Sequence, residues 1–183
     1  DQFEVASRHL GLHMGGEIKD SVNFDTVIDT IEKNVNLDFL LEQTRIKKNS
    51  KQPVKTLSEK NEDKEKVTLA VAYDEAFCFY YRDNFDLFQK ASIELYFFSP
   101  LRDTALPKGI QGIYFGGGYP ELHAQKLSKN AQLLDDVKRF SDGGGVVYGE
   151  CGGFMYLSKG LYDNEGDFYE MAGVFPVTVK MNK

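Results

Sequence analysis

Gly145 to Leu157 reads GVVYGECGGFMYL: the apolar run Gly145 to Tyr148 enters Gly149-Glu150-Cys151-Gly152-Gly153 and leaves as Phe-Met-Tyr-Leu at helical spacing. This is the pattern of a strand that turns sharply into a helix with a thiol at the turn. Glycines two places before and two places after the cysteine fit a nucleophile elbow, whose strained bend brings strand and helix too close for a Cβ. A thiol at a helix start also faces N–H groups that lack intrahelical partners and favour negative charge. Taken alone, the motif also admits a structural cysteine between tight-turn glycines, though the spacing favours the nucleophile. Cys151 is therefore the candidate nucleophile, in need of supporting residues.

Working outward, Val67 to Tyr73 (VTLAVAY), Ile93 to Phe98 (IELYFF) and Gly112 to Phe115 (GIYF) read as further buried strands. Between them, Asn84 to Ala91 and Asn130 to Ser141 have helical periodicity, with Leu133, Leu134, Val137 and Phe140 on one face of the latter. Strands alternating with helices predict an α/β fold with a mostly parallel sheet, because parallel neighbours need crossover connections. Ligands of such sheets bind at the carboxyl ends of the strands.

One such end carries Gly116-Gly117-Gly118-Tyr119-Pro120-Glu121. Three glycines expose backbone N–H groups that suit a developing oxyanion, with the N–H of Gly152 as the usual partner. The same stretch reads equally as a phosphate-binding turn or a tight connection. No Lys-Ser/Thr follows it, so it is not a Walker loop. Histidine is scarce: His9 and His13 lie far upstream, and His123 in PELH reads as a surface or loop-packing residue, so none is a convincing base. Cys78, among the aromatics of AFCFYYRDNF, reads as inert. The rings Phe77, Phe79, Tyr80 and Tyr81 read as core, with a substrate-facing minority role for Asp74 and Glu75 beside them.

The 183 residues carry 22 basic and 28 acidic side chains, a net charge of −6, and 42% apolar residues. That length allows one domain, or one domain plus a fragment. The acidic balance argues against nucleic acid as a partner. No long apolar run suggests a membrane span or a secretory signal, so a cytoplasmic address is expected. Two cysteines make neither a disulfide framework nor a four-ligand zinc site, and no metal ligands are assigned. Only three of 24 aromatics, Phe3, Phe24 and Phe39, precede Val67. Arg45 to Lys66 is charged and nearly free of large apolar residues, the composition of a solvated linker. Before it, Phe24, Val27, Ile28, Ile31 and Val35 mark one apolar stripe of a helix, and a second short helix is expected over Leu37 to Gln43. So small a segment cannot bury its own apolar faces and must dock on something.

AYDEAFCFYY (Ala72 to Tyr81), FFSPLRD (Phe97 to Asp103), YFGGGYPELHAQKL (Tyr114 to Leu127), GECGGFMYL (Gly149 to Leu157) and MAGVFP (Met171 to Pro176) occur in this order. With RHLGL (Arg8 to Leu12), they resemble the motifs of the cobyrinic acid a,c-diamide synthases, within the cobalamin-type class I glutamine amidotransferase family. The resemblance implies a flavodoxin-like amidotransferase domain over residues 67–183, preceded by a linker over 46–66. Residues 1–45 would be the helical tail of a P-loop synthetase domain. It implies glutamine as ammonia source, with Cys151 as the glutaminase nucleophile and Gly117, Gly118 and Gly152 as oxyanion or glutamine-binding donors. ATP and Mg²⁺ would serve the full-length parent, in which a corrinoid, cobyrinic acid, is amidated on its a and c carboxylates. None of these cofactors is expected on this piece. The family's histidine base is expected beyond Lys183, so the chain alone is expected to have little glutaminase activity. A homodimer is a further expectation, and a nickel-tetrapyrrole substrate stays open beside the corrinoid.

Two other classes compete. Stand-alone flavodoxin-like cysteine hydrolases share this elbow but usually place His directly after the nucleophile, where Gly152 stands here. A non-catalytic docking module would make Cys151 structural.

Overall fold

The computed structural model of the chain describes residues 23–45 and 66–181. The chain divides into two units, Asp1–Thr56 and Leu57–Lys183, each taken by itself below. Arg8 to Leu12 and nearly all of the expected linker lie outside the described residues.

In the first unit, Phe24–Asn34 forms α1 and Leu37–Gln43 forms α2. Each begins at an asparagine whose side chain accepts a first-turn N–H: Asn23 from Thr26 at 3.2 Å, and Asn36 from Phe39 at 2.9 Å. The apolar stripe is present but open, with Ile28 50% and Ile31 43% exposed. No residue of 23–45 is buried.

The second unit opens with β1 (Val67–Ala72), α3 (Arg82–Lys90), β2 (Ile93–Phe98) and β3 (Gly112–Phe115). A 3₁₀ turn (Pro120–His123), α4 (Ala124–Lys129) and α5 (Ala131–Asp142) lead to β4 (Val146–Gly149) and α6 (Gly152–Leu157). The four strands form one parallel sheet in the order β2-β1-β3-β4. The expected α/β architecture is therefore present. Most boundaries fall within a residue of the sequence reading, and two of the differences have a local cause. Strand β4 starts at Val146 because Gly143 to Gly145 are spent on the turn after α5, where Gly144 has φ +87°. Helix α3 starts two residues before Asn84, with Asp83 in its first turn, where a carboxylate suits the helix dipole.

Alternation along the strands builds two unequal cores. Ala70, Ala72, Ile113 and Phe115 face Leu127, Leu133, Leu134, Val137, Tyr156 and Leu157 of α4, α5 and α6. On the other face Val71 and Tyr114 pack on Phe85 of α3, while Val146 and Tyr148 of β4 remain 68% and 56% exposed. Three short strands follow, β5 (Gly160–Tyr162), β6 (Phe168–Glu170) and β7 (Thr178–Lys180), in a separate sheet of order β6-β5-β7. No helix among the described residues is long and apolar enough to cross a membrane.

The strand order fixes where a ligand can sit. From β1 the chain moves outward to β2, then returns to the far side of β1 as β3. Loops leaving the carboxyl ends of β1 and β3 therefore diverge, and a crevice opens between them.

Candidate functional site

Cys151 stands at the bend between β4 and α6, with φ +49° and ψ −111°. A non-glycine residue holds such a conformation at a cost of about 1–3 kcal/mol, which the surroundings must offset. They do so through backbone bonds. Glu150 N–H donates to the Phe115 carbonyl at 3.1 Å, carrying the β3–β4 ladder one step further, and Gly153 N–H donates to the carbonyls of Glu150 at 2.8 Å and Gly116 at 2.9 Å. Gly153 is required by space: a Cβ there would overlap the Phe115 carbonyl. The thiol at the apex is exposed.

The Gly116–Gly118 loop lies alongside. A Cβ placed on Gly117 would stand 3.7 Å from the Cys151 Cβ, and one placed on Gly152 would stand 3.1 Å from the Gly118 nitrogen. The structure thus brings together Gly117, Gly118, Cys151 and Gly152. Gly117 is the more engaged of the glycines: its carbonyl accepts the N–H groups of Cys78 and Phe79, each at 3.0 Å, and it bridges antiparallel with Phe79. Gly118 and Gly152 are buried, and among the described residues their N–H groups make no hydrogen bond. Two backbone donors that no described protein group accepts thus lie beside the Cys151 bend.

The segment after β1 arches over this loop. Asp74 is buried and accepts four donors: Ala76 N–H at 2.9 Å, Phe77 N–H at 3.3 Å, Ser99 Oγ at 2.8 Å and Leu101 N–H at 2.9 Å. Its carboxylate ties the ends of β1 and β2 together and is fully occupied in doing so. Glu75 pairs with Arg102, whose hydrogen bond holds the Glu75 carboxyl below its usual range. Phe77 is fully buried, Phe79 and Tyr80 are half-buried, and Tyr81 is exposed. Cys78 is half-buried.

Two phenols that the sequence reading did not assign to the site reach it: Tyr80, read as core, and Tyr114, read only as part of a strand. Tyr80 donates to the Ala72 carbonyl and accepts from Gly116 N–H at 2.8 Å. Burial raises its pKa, so it stays a neutral hydroxyl at ordinary pH. Tyr114 donates to the carboxylate of Glu150, the residue before the thiol; burial first, and that carboxylate second, raise its pKa. No local signal marks these pairs, because 36 residues separate each.

No described side chain hydrogen-bonds the Cys151 thiol. His9 and His13 lie outside the described residues, and His123 ends the 3₁₀ turn. Among the described residues, no group of three or more His, Cys, Asp or Glu side chains could hold a metal ion.

The chain is 40% identical over 174 residues to the cobyrinate a,c-diamide synthase of Picrophilus torridus, covering 95% of this chain and 39% of that protein. It is 38% identical over 197 residues to the protein of that name from Caldanaerobacter subterraneus subsp. tengcongensis, covering 100% of this chain and 40% of the relative. For that of Synechocystis sp. the figures are 41% identity over 178 residues, 97% and 37%. The chain thus spans about two fifths of the length of these relatives. The model of the CobB/CobQ-like glutamine amidotransferase domain matches residues 68–183, the whole run of strands, glycine loop and cysteine bend, and it is to this family that the chain belongs.

Proposed function

We propose that Cys151 is the nucleophile of a glutaminase half-site. The reading is carried by one observation: an exposed thiol on a strained strand-to-helix bend beside two buried glycines with open N–H groups. The sulfur attacks the side-chain amide carbon of glutamine, a C–S bond forms, and the former carbonyl oxygen takes up negative charge. The N–H groups of Gly152, Gly118 and Gly117 receive that oxyanion. The C–N bond then breaks as the amide nitrogen takes the proton given up by the thiol and leaves as ammonia, and water hydrolyses the glutamyl thioester to glutamate and free thiol.

In a polypeptide of the relatives' length, the ammonia amidates the a and c carboxylates of cobyrinic acid in an ATP- and Mg²⁺-dependent reaction. The names and identity of those relatives support the corrinoid, while ATP and Mg²⁺ are what the resemblance of the sequence motifs implies for that longer polypeptide. Residues 1–45 and 46–66 then serve as the synthetase-domain tail and linker. The isolated chain, in which no described histidine hydrogen-bonds Cys151, has little or no glutaminase activity.

The test is ammonia release from glutamine by a polypeptide extended to the relatives' length. Cys151→Ala is expected to lower the rate by at least about a thousandfold. Retention of the rate by Cys151→Ala, or robust release by the isolated chain, would refute the respective claim.

A further inference from the structure

We propose that Tyr80 is a positioning residue for the oxyanion donors, its hydroxyl acting as a spacer that sets the glycine loop against Cys151. This deepens the glutaminase reading and rests on it.

The ladder between β1 and β3 stops at Val71 opposite Tyr114. One step beyond, the two backbones part, and the Tyr80 hydroxyl stands between them. It donates to the Ala72 carbonyl on one side and accepts Gly116 N–H at 2.8 Å on the other. A bond that would otherwise run directly from strand to strand is widened by one oxygen atom. The widening falls where the crevice opens, and Gly116 is the first residue of the loop that holds Gly117 and Gly118.

The Gly116 peptide then connects Tyr80 to the thiol. Its N–H is bound by Tyr80, while its carbonyl accepts Gly153 N–H of α6 at 2.9 Å. The path from phenol to bend therefore runs through one residue. The ring is held independently of the hydroxyl, by Tyr73, Phe85 and Tyr114 with centroids 5.7, 5.3 and 5.2 Å away. It also occupies the space a Gly116 side chain would take, since a Cβ there would overlap the phenol ring. With Tyr80→Phe the ring stays and the spacer goes. Gly116 N–H then either closes on the Ala72 carbonyl or loses its acceptor, and in both cases the donors shift relative to Cys151.

The experiment compares two electrophiles at Cys151 in the full chain, with mass spectrometry separating Cys151 from Cys78. Methyl methanethiosulfonate transfers a methylthio group to the sulfur, expels methanesulfinate, and needs no oxyanion site. The chloroketone analogue of glutamine forms a C–S bond as chloride leaves, and its ketone oxygen uses the oxyanion donors. Tyr80→Phe is expected to slow the chloroketone about tenfold, part of the 10²–10³ that a lost donor costs, while the methanethiosulfonate rate stays within about twofold of wild type. Phe88→Leu loosens the same aromatic cluster without touching the hydroxyl, and is expected to leave the ratio of the two rates unchanged. An unchanged ratio in Tyr80→Phe would overturn the proposal, as would an equal fall in Phe88→Leu, which would mark a merely structural role. If wild-type Cys151 shows no faster reaction with the chloroketone than Cys78 does, the glutaminase reading itself fails, and that outcome is visible before any variant is made. Should Tyr80→Phe not fold, a ratio that falls in Phe88→Leu would still refute the inference.

Discussion

At Gly153 the chain has room for one hydrogen and no more, since a Cβ would press into the Phe115 carbonyl of the neighbouring strand. Gly153→Ala is therefore expected to destabilise the domain by about 1–3 kcal/mol, the usual penalty of overpacking, read as a lower urea midpoint with an unchanged slope. Tyr156 presents the opposite case. Its hydroxyl is buried with no hydrogen-bond partner among the described residues, although its ring packs on Phe77 and Phe115. Tyr156→Phe removes an unsatisfied polar atom and keeps the ring, so it is expected to leave stability unchanged or raise it by about 1 kcal/mol; a clear loss in thermal unfolding would show that the hydroxyl is satisfied after all. The bend around Cys151 was legible in the sequence because its determinants are local: two glycines at fixed offsets and an apolar run on each side. Tyr80 and Tyr114 were not legible. Each acts on a residue 36 positions away, and nothing in AFCFYY or GIYF distinguishes a packing phenol from one that also holds a backbone group.

Between elements, Asp74 is the chief polar tie, accepting two donors from its own turn and two from the segment after β2. Asp74→Asn replaces one oxygen by an NH₂ that must meet donors where a carboxylate met them. A loss of about 2–3 kcal/mol is expected, measured by denaturant unfolding, and a neutral result would mean that the turn and the β2 loop are held elsewhere. Glu75 and Arg102 add a weaker tie between the same segments. Because the Glu75 pKa is lowered, the pair's contribution is full above the ordinary carboxylate value of about 4.3 and is lost as pH falls through the lowered value. Both side chains are about half exposed, so the effect is small. Glu75→Gln should cost a small, constant amount of stability above about pH 4.3 and flatten the acid limb below it. The strands and helices were readable from periodicity, but these ties were not. The sequence places Asp74 and Glu75 at a strand end, which admits a substrate role, and only the fold shows Asp74 spent on three backbone N–H groups and the Ser99 hydroxyl.

For the molecule as a whole, the sheet has one well-covered face and one open one. On the open face, a hollow of about 500 Å³ runs past Leu69, Phe88, Tyr114, Val146 and Tyr148 to Glu150. Exposed apolar surface of this kind binds hydrophobic dyes. The chain is expected to enhance the fluorescence of anilinonaphthalene sulfonate, and the double change Val146→Asp with Tyr148→Asp is expected to reduce that enhancement by at least half. Both are edge-strand residues already exposed, so their replacement tests the face without opening the core. The parallel sheet and the strand-to-helix bend follow from patterns that repeat every few residues. Which face is covered, and where the strand order turns back to open the crevice, depends on contacts between distant segments. The proposed role of Cys151 as a glutamine-directed nucleophile is tested most directly by site-resolved mass spectrometry of the chain treated with the chloroketone analogue of glutamine. Cys151 is expected to be modified at least about tenfold faster than Cys78, with glutamine slowing the reaction; equal modification of the two cysteines, with no protection by glutamine, would contradict that role.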